Sequence, residues 1–158
     1  MSEARVRDLE EVYRLRYTHF LRVATAIAGD EDAGHDAVQD GFASALRHRR
    51  TFRGEGPLEA WVWRVVVNAA KKARVARTRT LDVVEGSVSN GAHADEVSMR
   101  AWIAGLPERQ RLAVFLRYYA DLDYRSIASV LGIEVGTVSA TLASAHSTLR
   151  KQLTEAQS

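Results

Sequence analysis

The chain has 158 residues, 46% of them hydrophobic and 27% charged, with 10 glycines, 2 prolines and no cysteine. This is ample apolar material for a packed core and too little Gly and Pro for a fibrous or low-complexity chain; the missing thiols exclude a disulfide framework, a thiolate metal site and a cysteine nucleophile. The net charge of +2 hides a split, because residues 1–46 carry 5 basic and 9 acidic side chains, 47–79 carry 10 and 2, 81–97 carry none and 4, and 98–158 carry 7 and 5. A positive block between acidic stretches is the footprint of a phosphate backbone or another polyanion, against the alternative of a solvated helix face with scattered arginines. The N-terminus is charged from its third residue, which argues against a signal peptide or membrane insertion and for a cytoplasmic protein.

In chain order, the first pattern covers residues 6–28, where Leu9, Val12, Tyr13, Tyr17, Phe20, Leu21, Ala24 and Ile27 recur at helical spacing. Gly29 and the acidic run Asp30, Glu31, Asp32 provide a stop and a new helix start. The next helix, 33–49, sets Ala37, Val38, Gly41, Phe42 and Ala45 on an apolar face and Asp36, Gln39, Asp40 and Ser44 on a polar one. After a loop at 51–56, Pro57 suits the first turn of a helix over 58–77. Trp61, Val62, Val65, Val66 and Ala69 are expected to face the first two helices, and Arg64, Asn68, Lys71 and Lys72 to line another side suited to nucleic acid. Residues 78–96 lose periodicity and are rich in Gly, Ser and Asp, the one linker-like stretch.

The second half reads as four short helices, at 97–104, from Pro107 to about 119, at 124–131 and at 135–152. The fourth is expected to bury Val138, Leu142, Ala145, Leu149 and Leu153. The segment DYRSIASVLGIEVGTVSATLASAHSTLRK has the layout of a helix-turn-helix. Ile127, Ala128 and Leu131 face inward, Gly132 makes the turn, and a longer helix returns through Val138 and Leu142. The N-terminal part of that second helix is the part that enters a major groove, which brings Thr137, Ser139, Ala140, Thr141 and Ser144 toward DNA. The fold expected is all-α, with two small helical domains at 1–79 and 97–158 joined by a flexible linker at 80–96.

LPERQRLAVFLRYYADLDYRSIASVLGIEVGTVSATLASAHSTLRKQL resembles region four of bacterial sigma factors, and AGDEDAGHDAVQDGFASALRHRRTFRGEGPLEAWVWRVVVNAAKKARV resembles region two. Their order, with no region three between, is similar to the extracytoplasmic-function group. The resemblance implies a transcription initiation factor that binds core RNA polymerase, recognises promoter DNA and helps melt the minus-ten element, with an anti-sigma protein as a further partner. It implies no catalysis, cofactor or small-molecule substrate. Asp36, Gln39, Asp40 and Phe42 would meet the polymerase, with Phe42 read as core rather than contact. Arg53, Trp61, Trp63, Arg64, Asn68, Lys71, Lys72 and Arg74 would hold the minus-ten strand; Trp61 and Trp63 are both candidate stacking platforms, Trp61 being read as the core anchor. Arg125, Thr137, Ser139, Ala140, Thr141, Ser144, Arg150 and Lys151 would serve the minus-thirty-five element.

Two positions depart from the family pattern. Lys72 stands where many members have Asp, and the recognition helix reads SerAlaThrLeuAlaSerAlaHis at 139–146 where many carry several Arg or Lys. Without a guanidinium to reach guanine, that helix lacks the commonest base-specific contact. Two other readings therefore stand beside the first: an interaction protein with weakened upstream DNA recognition, and a stand-alone helix-turn-helix regulator. The five His show no metal-ligand spacing, and neither a nucleophile motif nor a Gly-rich phosphate loop is present.

Overall fold

The computed structural model describes residues 2–54, 56–81 and 101–157. The first helix, α1 (Ser2–Ala28), is closed by Gly29, whose φ of 104° is a conformation that side chains avoid and whose N–H returns to the Thr25 carbonyl at 2.9 Å. Asp30 then caps α2 (Glu31–Arg47), its carboxylate accepting from the Ala33 amide at 2.7 Å. Glu31 and Asp32 in the first turn complement the helix dipole. The acidic run is thus a helix start, two residues earlier than periodicity alone placed it.

A single 3-10 turn (Arg49–Thr51) leads to α3 (Leu58–Leu81), which runs four residues past its expected end at 77. The helices α1, α2 and α3 pack on one another around Phe20, Val23, Ile27, Val38, Val62, Trp63, Val66 and Val67, all at most 2% exposed. Phe20 lies 4.1 Å from Trp63 and meets Phe42 edge-on at 5.2 Å, an arrangement aromatic rings favour. The small residue at 41 has a packing reason, since a Cβ there would lie 3.0 Å from Val66 Cα; its absence lets α2 and α3 approach closely.

Residues 101–104 are helical, and Pro107 precedes α4 (Glu108–Val114). The expected single helix to 119 instead widens into a π-helical segment, Phe115–Tyr119. The Ala120 N–H bonds to the Phe115 carbonyl at 3.1 Å, and the Leu122 N–H reaches the Leu116 carbonyl at 3.0 Å. Asp121, at φ 56°, completes the exit, and the wide turn stacks Tyr119 on Phe115 at 5.4 Å.

The pair α5 (Tyr124–Leu131) and α6 (Val135–Ala156) follows with the boundaries a helix-turn-helix requires. Asp123 caps α5 through the Ser126 amide at 2.8 Å. Gly132, at φ 69°, ends it, and the amides of Gly132 and Ile133 both return to the Ala128 carbonyl. Leu153, expected inside, is 44% exposed because the last turns of α6 outrun the helices it packs on.

The two halves touch. Helix α3 packs against α5, α1 packs against the π segment, and one continuous apolar cluster runs from Leu9 to Ala145. Arg16 of α1 pairs with Glu59 of α3 and donates from Nη2 to the Ala120 carbonyl at 3.1 Å. The Nζ of Lys71 lies 3.9 Å from Glu108. Residues 82–100, which hold most of the proposed 80–96 linker and the start of the helix expected at 97, lie outside the described residues.

Candidate nucleic-acid and polymerase interface

On α2 the polar stripe is as its spacing implies, with Asp36, Gln39 and Asp40 exposed and Ala37, Val38, Gly41 and Ala45 buried beneath. Phe42 belongs to the buried set at 7% exposure, packed edge-on against Tyr13 at 4.7 Å as well as Phe20. It supports the stripe from below, as its place on the apolar face implies, and leaves the polymerase-facing set to Asp36, Gln39 and Asp40. Sequence reasoning placed Tyr13 and Tyr17 in the core; in the structure their hydroxyls join the polar surface. Gln39 donates to the Tyr13 hydroxyl at 3.3 Å, and the Tyr17 hydroxyl lies 2.9 Å from His35 Nε2. Local desolvation, then the neighbouring Tyr13, holds the Tyr17 hydroxyl above its ordinary pKa, so it stays protonated. Their i, i+4 spacing was visible in the sequence, but partners across a helix pair were not.

The loop and α3 form the basic part of the surface. Gly54 and Gly56 have φ of 79° and 92°, values that allow the chain to loop back before α3. Phe52 packs 5.6 Å from Trp61, and the Arg5 guanidinium lies 4.6 Å over the Phe52 ring. Thr51, Phe52, Arg53, Trp61, Arg64 and Ser129 line a recess of about 190 Å³, and a Cβ on Gly132 would lie 3.6 Å from Arg64 Nη2. The helix-turn-helix therefore borders the recess. Arg53, Arg64, Asn68 and Lys72 are exposed, whereas Lys71 and Arg74 are half-buried.

The two tryptophans exchange their expected places. Trp63 is fully buried on Phe20, with Nε1 lacking a hydrogen-bond partner, and is no stacking platform. Trp61 is half-buried at the recess. The cause is rotation: the bundle-facing stripe is Val62, Trp63, Val66, Val67 and Ala70, one residue on from the stripe read off the sequence. Trp61 and Ala69 remain half-covered because α3 has a second neighbour, the other half of the chain, and a helix with two apolar sides has no unique face by periodicity.

On α6, Ser139, Ala140 and Ser144 are exposed and Thr137 is half-buried. Thr141, at 8% exposure, turns inward with Val138, Leu142 and Ala145 and is removed from the DNA-facing set. Arg125, Arg150 and Lys151 are exposed. Burial first, and the nearby Arg74 next, lower the pKa of Arg111, whose Nη1 is held by the Ala104 and Leu106 carbonyls at 3.3 and 3.4 Å. A contact unseen in the sequence joins α6 to the π segment: the Tyr118 hydroxyl lies 2.7 Å from His146 Nε2. No cluster of three or more His, Asp or Glu suited to a metal ion occurs among the described residues, and among them no single helix is long and apolar enough to cross a membrane.

Residues 12–80 match the family model for sigma-70 region 2, and residues 97–149 match that for sigma-70, region 4. The chain is 29% identical to the RNA polymerase sigma-H factor of Pseudomonas aeruginosa, over 88% of this chain and 83% of that protein. It is 31% identical to the ECF RNA polymerase sigma-E factor of Escherichia coli, over 78% and 75%. Its fold is shared with CnrH, solved in complex with the cytosolic domain of CnrY, at a TM-score of 0.73 and 20% identity over 99% of this chain and 94% of that one. It is likewise shared with the sigma factor RpoE from Bartonella quintana, solved with the anti-sigma factor NepR, at 0.72 and 19% over 93% and 97%.

Proposed function

The chain belongs to the extracytoplasmic-function group of sigma-70 factors, and we propose how its surfaces divide that group's work. It is a transcription initiation factor that binds core RNA polymerase and directs it to specific promoters. The observation that carries this is the presence of region 2 and region 4, in that order, on one chain.

Residues 1–79 form the polymerase- and minus-ten-binding domain, 80–96 the linker and 97–158 the upstream-binding domain. Asp36, Gln39 and Asp40 dock on the polymerase, a role supported by their exposure on a stripe whose apolar side is locked into the bundle. Trp61 and Phe52 offer ring surface to an unstacked base, and Arg53, Arg64, Asn68 and Lys72 follow the phosphates; stacking contributes roughly 1–3 kcal/mol per base. The exposed side of α6 meets the minus-thirty-five element. The factor works in the cytoplasm, catalyses no reaction of its own and is held inactive by an anti-sigma protein, as the partners of its structural neighbours support.

Purified chain added to bacterial core polymerase is expected to start transcripts from a restricted promoter set, read by sequencing their 5′ ends. Absence of both core binding and promoter-directed initiation would overturn the assignment. The exposed, cation-poor start of α6 favours a second reading, an interaction protein with weakened upstream recognition. Footprint protection of an upstream element by the holoenzyme would eliminate it.

A further inference from the structure

The N-terminal turns of α6 leave a physical deficit. No Arg or Lys occurs from Val135 to Leu149, and the exposed residues there are Val135, Gly136, Ser139, Ala140, Ala143, Ser144, Ser147 and Thr148. The Thr148 hydroxyl is already bonded to the Ser144 carbonyl at 3.1 Å. Glu134, at the N-cap, puts an exposed carboxylate where the helix dipole would otherwise attract a phosphate. Cations that usually anchor such a helix on the DNA backbone begin only at Arg150.

The structure supplies a substitute from another element. Ser139, Ala143, His146 and Arg150 follow at steps of four, three and four and so share one edge of α6. Tyr118 reaches that edge from the π segment, where the widened turn keeps Phe115 and Leu116 in the core and leaves Tyr118 56% exposed. Its hydroxyl is 2.7 Å from His146 Nε2 and the rings are 5.6 Å apart, so an exposed side chain is pinned beside the exposed face of the helix. Whichever partner donates, one N–H or O–H stays available: Tyr118 Oη–H when the imidazole donates from Nε2, or His146 Nδ1–H when the tyrosine does.

We propose that Tyr118 and His146 act as one unit that donates a hydrogen bond to a phosphate of duplex DNA beside the helix-turn-helix, standing with Arg150 in place of the cations missing from the first turns of α6. The inference rests on the reading of α6 as the upstream-facing helix. A hydroxyl or neutral imidazole anchors backbone without displacing a counterion, so it adds affinity with little salt dependence.

The test uses holoenzyme reconstituted with the full chain on duplex promoter fragments. Y118F and H146A are each expected to weaken binding about tenfold, as loss of a hydrogen bond to a charged group does, and the double variant about as much as either single one. H146Q, which keeps a donor and an acceptor, is expected to stay within about threefold of the parent. The salt slope should be unchanged in Y118F and reduced by about one in R150A. Binding within twofold of the parent for both Y118F and H146A, with helix content and core affinity intact, overturns the inference. So does a loss confined to some upstream sequences, which marks a base contact. If the parent holoenzyme leaves upstream DNA unprotected, the underlying reading fails instead, a result separate from any variant.

Discussion

The helices α3 and α6 are assigned the same task and are built in opposite ways. Helix α3 carries Arg64, Asn68, Lys71, Lys72 and Arg74 but is covered on two sides, by its own bundle and by α5. Helix α6 leaves a broad exposed side yet has no Arg or Lys before Arg150. Charge and accessibility are thus divided between the domains. The lesson is that a positive block in the sequence marks where phosphate attraction is strong, not how much of that helix is free to meet DNA.

The sharpest way to break this comparison is at the tryptophans. W63A empties a fully buried site beside Phe20 and is expected to destabilise the chain by about 3–5 kcal/mol, measured by denaturant unfolding. W61A should cost far less stability and instead weaken binding of the minus-ten single strand by roughly 1–3 kcal/mol. Equal stability losses for the two would show that α3 is not rotated as described.

Charge placement gives the next largest effects. S139R introduces a guanidinium on the exposed edge of α6; with a guanine in reach it is expected to add about 1–3 kcal/mol of base discrimination, and otherwise to steepen the salt dependence of upstream binding by about one. Titration of promoter fragments at several salt concentrations separates these outcomes. On α3, R64A and K72A should each reduce the salt slope for a single-stranded minus-ten oligonucleotide by about 0.7. An unchanged slope in both would remove these cations from the phosphate track.

The smallest effect tests the base of the helix-turn-helix. Asp123 caps α5, and its carboxyl lies below its ordinary pKa, first because the Ser126 amide donates to it and then through the Ser126 side chain. Because the folded-state value is depressed, the stabilisation is present above the unfolded carboxyl pKa of about 4 and disappears as pH falls through the lower folded value. D123A should lose about 1 kcal/mol at neutral pH and none at strongly acidic pH. A constant deficit across that range would assign the loss to something other than the cap.

Much of the fold was legible because local rules dominate it. Gly29 with Asp30, and Gly132, mark helix ends through φ preference and side-chain capping, which depend on neighbours in sequence; the Asp123 cap obeys the same local rule but became visible in the structure. The α2 stripe was equally readable, since one buried face and one polar face give a single solution to the helical period. Trp61 and Trp63 were not, because two apolar sides fit the period equally well. The π segment also escaped, as its wide turn is stabilised by packing of Phe115, Leu116 and Tyr119 rather than by a local signal.

The sequence by itself therefore determined where most helices lie, the boundaries at Gly29–Asp30 and Gly132, the region 2 and region 4 motifs and the charge carried by each segment, all of which follow from residue type and short spacing. Only the tertiary structure decided which face of α3 is core, that Thr141 turns inward, that Arg16, paired with Glu59, ties the halves through the Ala120 carbonyl, and that Tyr118 meets His146. Each of these depends on a neighbour on another helix, and burial or a hydrogen bond between helices exists only once they have packed.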